Sequence, residues 1–192
     1  MKQDMKKMLE VLKKNKILAF SVLVLFFLGV LFGIIVNSAF PEISENFIAQ
    51  LEENPQIQTI MRNFQEKPLL ASFQIFSNNF FVSLLIIFSG FLVVFPALIL
   101  FSNSFVIGIV SAFARAKGAN LFLLLPHGIF ELPAILLASF VGFYITKLML
   151  LEGKKGLKKF FKKQFFSFLL VIIILLIIAA IIETIVGYRL SL

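Results

Sequence analysis

A chain of 192 residues with 60% apolar residues and a mean hydropathy of +1.02 is too apolar for a water-soluble domain. Its net charge of +8 does not point to nucleic acid, because the lysines gather at the edges of apolar runs, where they act as topology and headgroup determinants. The absence of cysteine excludes disulfides, CxxC redox chemistry and thiolate metal sites, and runs such as VIIILLIIAAII lack the alternation of a membrane β-barrel. The expected fold class is therefore all-α. It is a polytopic membrane helix bundle of about five transmembrane helices, with short amphipathic interfacial helices, forming one integral membrane domain.

Residues 1–16 carry six lysines against Asp4 and Glu10, with Met5, Met8, Leu9 and Leu12 on one helical face, and read as a basic juxtamembrane helix. The apolar run 17–36 is too long for the h-region of a signal peptide, so it is expected to be retained as a first span. Its Gly29 and Gly33 form GxxxG, which permits close helix approach. Segment 37–67 is acidic, with five Glu against Arg62 and Lys67. Within it Ile43, Phe47, Ile48 and Leu51, and then Ile57, Ile60, Met61 and Phe64, follow helical spacing on either side of Asn54-Pro55. Two short amphipathic helices are predicted there, at the interface or capping the bundle.

The 47 uncharged residues from 68 to 114 are too many for one helix across a hydrocarbon core of ~30 Å. Two spans are predicted, 68–95 and 97–114, with the turn near Phe95-Pro96-Ala97, because the residue before a proline disfavours helix. Ser104, Gly108, Ala112 and Ala116 recur every fourth position as a packing stripe. A fourth span, 119–146, contains the sole histidine, His127, and Glu131. Pro126 and Gly128 bracket the histidine and predict a helix break. Residues 147–163 then carry seven lysines against Glu152, and 165–187 is a last span, in which Ala179, Glu183 and Gly187 share a face. If both lysine-rich segments are cytoplasmic, an even number of spans separates them. Five spans with the amino terminus inside and the carboxyl terminus outside satisfy this, and the two opposing charges Arg115 and Lys117 are outweighed by thirteen lysines. The expected location is the cell membrane, multi-pass.

A charged side chain at the centre of a bilayer costs about 2.5–3.5 kcal/mol on insertion scales, so His127 and Glu131 are candidate functional residues. They stand at i and i+4 on one helical face. With Asn78, Asn79 and Asn103 they make up the candidate intramembrane polar site, either as interhelical hydrogen-bonding groups or as the lining of a cavity between broken helices. Lys154, Lys155, Lys158, Lys159, Lys162 and Lys163, interleaved with Leu157, Phe160 and Phe161, predict a loop resting on anionic lipid headgroups. The sequence has no HExxH, GxSxG, P-loop or GxGxxG motif and no second histidine, so no catalytic, cofactor or metal residues are assigned. A dyad of His127 with Ser139 or Ser104 has no sequence feature in its favour.

The string LPHGIFELPAI, followed by Ala138 and Gly142 and preceded by Asn78-Asn79, Gly90, Asn103 and Gly108, resembles the stage II sporulation protein M family, multi-span membrane proteins of bacteria and archaea. The resemblance covers 73–147 by motif and the chain by length and span order. It departs from the family at Asn103-Ser104, where Asn-Gly is expected. The resemblance implies a membrane anchor whose partner subunits carry any hydrolytic activity. The expected function is thus a non-enzymatic scaffold or anchor for a membrane or cell-envelope complex. Its expected partners are anionic lipid and other proteins, with no nucleic acid, and a homo-oligomer is compatible with it. The alternative is a small transporter or channel component with His127 and Glu131 as its proton or ion site.

Overall fold

The computed structural model describes the backbone of residues 2–118 and 125–190 and the side chains of 5–118 and 128–186. All the described secondary structure is helical: α1 (Lys2–Lys14), α2 (Lys16–Ala39), α3 (Pro41–Glu52), α4 (Pro55–Glu66), α5 (Pro68–Ser89), a 3-10 turn (Gly90–Leu92), α6 (Phe95–Ala116), α7 (Leu125–Leu151), α8 (Gly153–Lys163) and α9 (Phe165–Leu190). Five of these, α2, α5, α6, α7 and α9, are long and apolar enough to cross a membrane, which makes the chain a multi-pass membrane protein. Prolines set much of the punctuation. Pro41, Pro55, Pro68 and Pro96 each lie in the first turn of a helix, and Pro126 is the second residue of α7. A missing N–H costs nothing there, because first-turn amides have no partner within the helix.

The core is built on α7, which packs on α9, α5 and the 3-10 turn, while α2 and α6 form a second, closely packed pair. Phe140, Val141 and Ile145 of α7 and Phe168, Ile172 and Leu176 of α9 are buried in one cluster, in which Phe140 stacks on Phe168. Glycine sets the approach of the other helices. A Cβ on Gly142 would collide with the Ile86 carbonyl of α5, and one on Gly90 with the Gly142 carbonyl. Thr146 Oγ1 donates to the Gly90 carbonyl at 2.6 Å and ties the end of α5 to α7. In the second pair, the GxxxG glycines of α2 meet the small-residue stripe of α6. Gly29 faces Ser104, and Gly33 faces the Phe105 carbonyl and Gly108. Helices α1 and α8 gather at one end of the bundle and α3 and α4 at the other. At the first end Lys147 Nζ donates to Asn15 Oδ1 at 2.7 Å, and Phe91 stacks on Phe161.

Three expectations need correction. The α5–α6 turn lies at Gly90–Val94, not at Phe95-Pro96-Ala97, because Pro96 starts α6 rather than ending α5. The reversal is a γ-turn of the rarer, positive-φ form. Val93 has φ 57° and ψ −61°, and Val94 N donates to the Leu92 carbonyl at 2.6 Å. The helix break expected at Pro126–Gly128 is instead the start of α7 at Leu125, and the proline inside the helix is Pro133. Residues 119–124, placed at the start of that span, lie outside the described residues. Finally, the apolar face of α8 is turned to protein. Phe160 is fully buried against Tyr144, Phe165 and Phe168, so only its lysine face remains exposed.

Candidate functional site

Glu131 lies in the second turn of α7, partly buried, and Glu183 of the antiparallel helix α9 is within electrostatic reach of it. The pairing follows from register. The interface of α7 with α9 brings the early residues of one helix beside the late residues of the other. Around the same end of the bundle, Ser72 Oγ of α5 donates to Thr184 Oγ1, the neighbour of Glu183, at 2.7 Å, and Thr184 Oγ1 lies 2.9 Å from the Ala180 carbonyl. Helix α5 presents Ala71, Ile75, Asn79, Ser83 and Ile86 along its inward stripe. Asn79 is half-buried on that stripe, and Ser83 is fully buried with no hydrogen-bond partner among the described residues. The α5–α7–α9 junction thus carries two carboxyl groups and several hydroxyl and amide groups. Such groups inside a membrane span serve as interhelical ties or as ion and proton sites.

The other expected site residues lie elsewhere or outside the description. The side chain of His127, and those of Pro126 and Leu125, fall outside the described residues. Asn78 is exposed, touches Asn79 Oδ1 at a long 3.4 Å, and lines a cavity of about 270 Å³ with Gln56, Gln74 and Ser77. Asn103 donates to the Ile99 carbonyl of its own helix at 2.8 Å. Ser104 and Ser139 likewise bond back to carbonyls of their own helices, at Leu100 and Ile135. The six lysines of α8 are all exposed. Glu183 is the residue missed in the sequence. It shares a face with Ala179, but only the register with α7 reveals its neighbour.

The α3–α4 end is fastened by polar side chains. Asn63 Nδ2, buried in α4, donates to Gln74 Oε1 of α5 at 2.8 Å, and Lys117 Nζ lies 3.3 Å from Glu45 Oε1 of α3. Asn54 caps α4 by accepting from Gln56 N at 2.9 Å. Phe64 is buried with Ala71, Ile75 and Ala180, so α4 is anchored on α5 and α9. In this cap Ile43 is 56% and Met61 61% exposed, and Glu42, Glu52 and Glu53 are exposed as well.

Comparison with known proteins adds one assignment. The family described as stage II sporulation protein M matches residues 22–187, which include all five long apolar helices in whole or large part. No curated protein and no solved structure matches the chain. With its five-helix architecture and this match over most of its length, the chain belongs to the stage II sporulation protein M family.

Proposed function

We propose that this protein is a non-enzymatic membrane scaffold, with its lysine-rich end in the cytoplasm and the α3–α4 cap outside as the surface that receives partner proteins. The observation that carries this reading is the cap itself. It is held to the bundle by Asn63–Gln74, Lys117–Glu45 and the Phe64 cluster, yet leaves an apolar and acidic face uncovered. A rigid, half-apolar surface is what a binding partner requires. The orientation is supported by the charge asymmetry, since α1 and α8 carry most of the lysines and gather at one end. At that end the exposed lysines of α8 rest on anionic headgroups, held in place by the docking of Phe160.

The test is co-purification from native membranes in mild detergent. A stoichiometric partner that is lost when Ile43 and Met61 are both changed to Ser supports the scaffold, and retention of that partner by the double variant counts against the cap. Single cysteines at Gln56 and Lys159 read the orientation, because the chain has no native cysteine. Gln56→Cys should react with an impermeant thiol reagent from outside, and Lys159→Cys only after permeabilisation.

The proximity of Glu131 and Glu183 supports a second reading, a small transporter or channel component with its ion or proton site at the α5–α7–α9 junction. Proton or cation flux into proteoliposomes that Glu131→Gln abolishes would put this reading first.

A further inference from the structure

At the lysine-rich end, the joint between α1 and α2 forms a cavity of about 380 Å³ lined by Lys14, Asn15, Lys16, Ser21 and Lys147. No acidic residue among the described residues lines it. The three ammonium groups come from three elements: the end of α1, the start of α2 and the last turns of α7. Lys147 is held beside Asn15 by donating to its Oδ1, and the Asn15 amide in turn donates to the Val11 carbonyl at 2.9 Å, while Lys14 and Lys16 flank Asn15 in the chain. Asn15 therefore makes no side-chain cap for α2, whose first turn also lacks an acidic residue. Three like charges around one hollow, whose lining is completed by Ile17 and Leu18, repel one another and favour an anion between them.

A second cavity makes the anion amphiphilic. An apolar groove of about 320 Å³ runs between α2 and α7, lined by Ala19, Leu23, Pro133, Leu136 and Phe140. Pro133, Leu136, Phe140 and Lys147 fall at intervals of three, four and seven, so a single face of α7 carries both the groove and the lysine. At 1.5 Å per residue the groove lies roughly 10–20 Å along the helix from Lys147, which is the depth of one leaflet of a ~30 Å core. Both cavities lie on helices that span the bilayer, so the apolar one opens toward acyl chains rather than water.

We propose that this is a binding site for one anionic phospholipid. Its phosphate sits among Lys14, Lys16 and Lys147 and an acyl chain lies along the α2–α7 groove. It is distinct from the exposed lysine face of α8, which offers charge without a groove. The inference does not depend on the scaffold reading.

The full-length protein, purified in mild detergent, is titrated with phosphatidylglycerol, phosphatidylcholine and inorganic phosphate, and bound lipid is counted by native mass spectrometry. One phosphatidylglycerol per chain should bind saturably, phosphatidylcholine should not, and phosphate at equal concentration should not displace the lipid. Changing Lys14, Lys16 and Lys147 together to Gln should weaken this binding on the order of 10²-fold. The same charge removal at Arg62, Lys67 and Arg115 should leave it unchanged. Leu136→Trp, which keeps every lysine and fills the groove, should also abolish the saturable lipid, and it carries the test if the triple variant does not fold. Equal binding of phosphatidylcholine, displacement by phosphate alone, or full retention by the Leu136→Trp variant overturns the proposal.

Discussion

Substituting alanine for Gly33 tests whether backbone contact, and not apolar bulk, holds α2 to α6. A Cβ at Gly33 would collide with the Phe105 carbonyl oxygen and stand 2.8 Å from Ile109 N and 3.0 Å from Gly108 Cα. All three obstacles are backbone atoms, so no side chain can rotate away and the helices must separate by several tenths of an ångström. A gap of about 0.5–1 Å forfeits a quarter to a half of each dispersion contact it opens, and overpacking of this kind typically costs about 1–3 kcal/mol. Gly29 differs in kind, because the first atom a Cβ would meet there is the Ser104 hydroxyl, with the Phe101 carbonyl oxygen next at 2.9 Å. Gly29→Ala should therefore destabilise as well, but Ser104→Gly in the same chain should restore part of the loss, whereas Ser104→Gly should not rescue Gly33→Ala. Gly128 is the control. Among the described residues its Cβ would meet only Leu132 Cδ1 at 3.9 Å, so alanine there should be neutral, or stabilising by up to about 1 kcal/mol from helix propensity. Thermal unfolding in detergent, followed by helical circular dichroism, ranks the variants. If Gly33→Ala unfolds at or above the temperature of Gly128→Ala, the seam is not held by backbone contact and the reasoning fails.

Val93→Gly should raise stability by about 1–3 kcal/mol, because glycine adopts the positive φ of the γ-turn without strain and Val93 is 39% exposed; a lower melting temperature would refute this. Phe160→Ala should cost about 3–5 kcal/mol and release α8 from the bundle, read as faster proteolysis between α8 and α9, since the ring is buried against four other aromatics. Thr146→Val removes the donor to the Gly90 carbonyl in a buried place and should lower stability by about 1–3 kcal/mol, whereas Thr146→Ser should not, as measured by the same melts. Glu131→Gln keeps shape and hydrogen bonding while removing one of two neighbouring carboxylates, so it should fold at least as stably as the natural chain. A loss above about 1 kcal/mol would mean that the charge itself has a partner.

The helices were legible in the sequence where water and hydrocarbon impose different residues on their two sides. The amphipathic spacing of Ile43, Phe47 and Leu51, and of Ile57, Met61 and Phe64, places α3 and α4, and the uncharged stretches place the five long apolar helices. Proline was the weakest guide. Pro126 suggests a break and Pro96 a turn, because proline ends whatever helix precedes it. It is equally at home in the first turn of the next helix, and Pro41, Pro55, Pro68, Pro96 and Pro126 all take that place here. Nothing local distinguishes the two roles except where the following helix has its apolar run.

What covers an apolar face is a different kind of question, and α8 shows why hydropathy cannot answer it. Phe160 at helical spacing from Leu157 and Phe161 says only that this side leaves water. Lipid and protein interior are equally apolar, so the same pattern fits a helix floating on the membrane and one docked on Tyr144, Phe165 and Phe168. In a bilayer the choice of helix partner passes from the hydrophobic effect to steric fit and polar ties. The partner information therefore sits in the small and polar residues: Gly29 and Gly33 against Ser104 and Gly108, Gly90 against Gly142, Ser72 against Thr184. Single stripes of such residues are visible in one dimension, but their pairing is not, since each stripe matches several others in size. The same holds for Glu183. Near the end of its helix it is an ordinary interfacial carboxylate, and it becomes part of a site only because the packing of α7 on α9 carries Glu131 to the same level of the bundle.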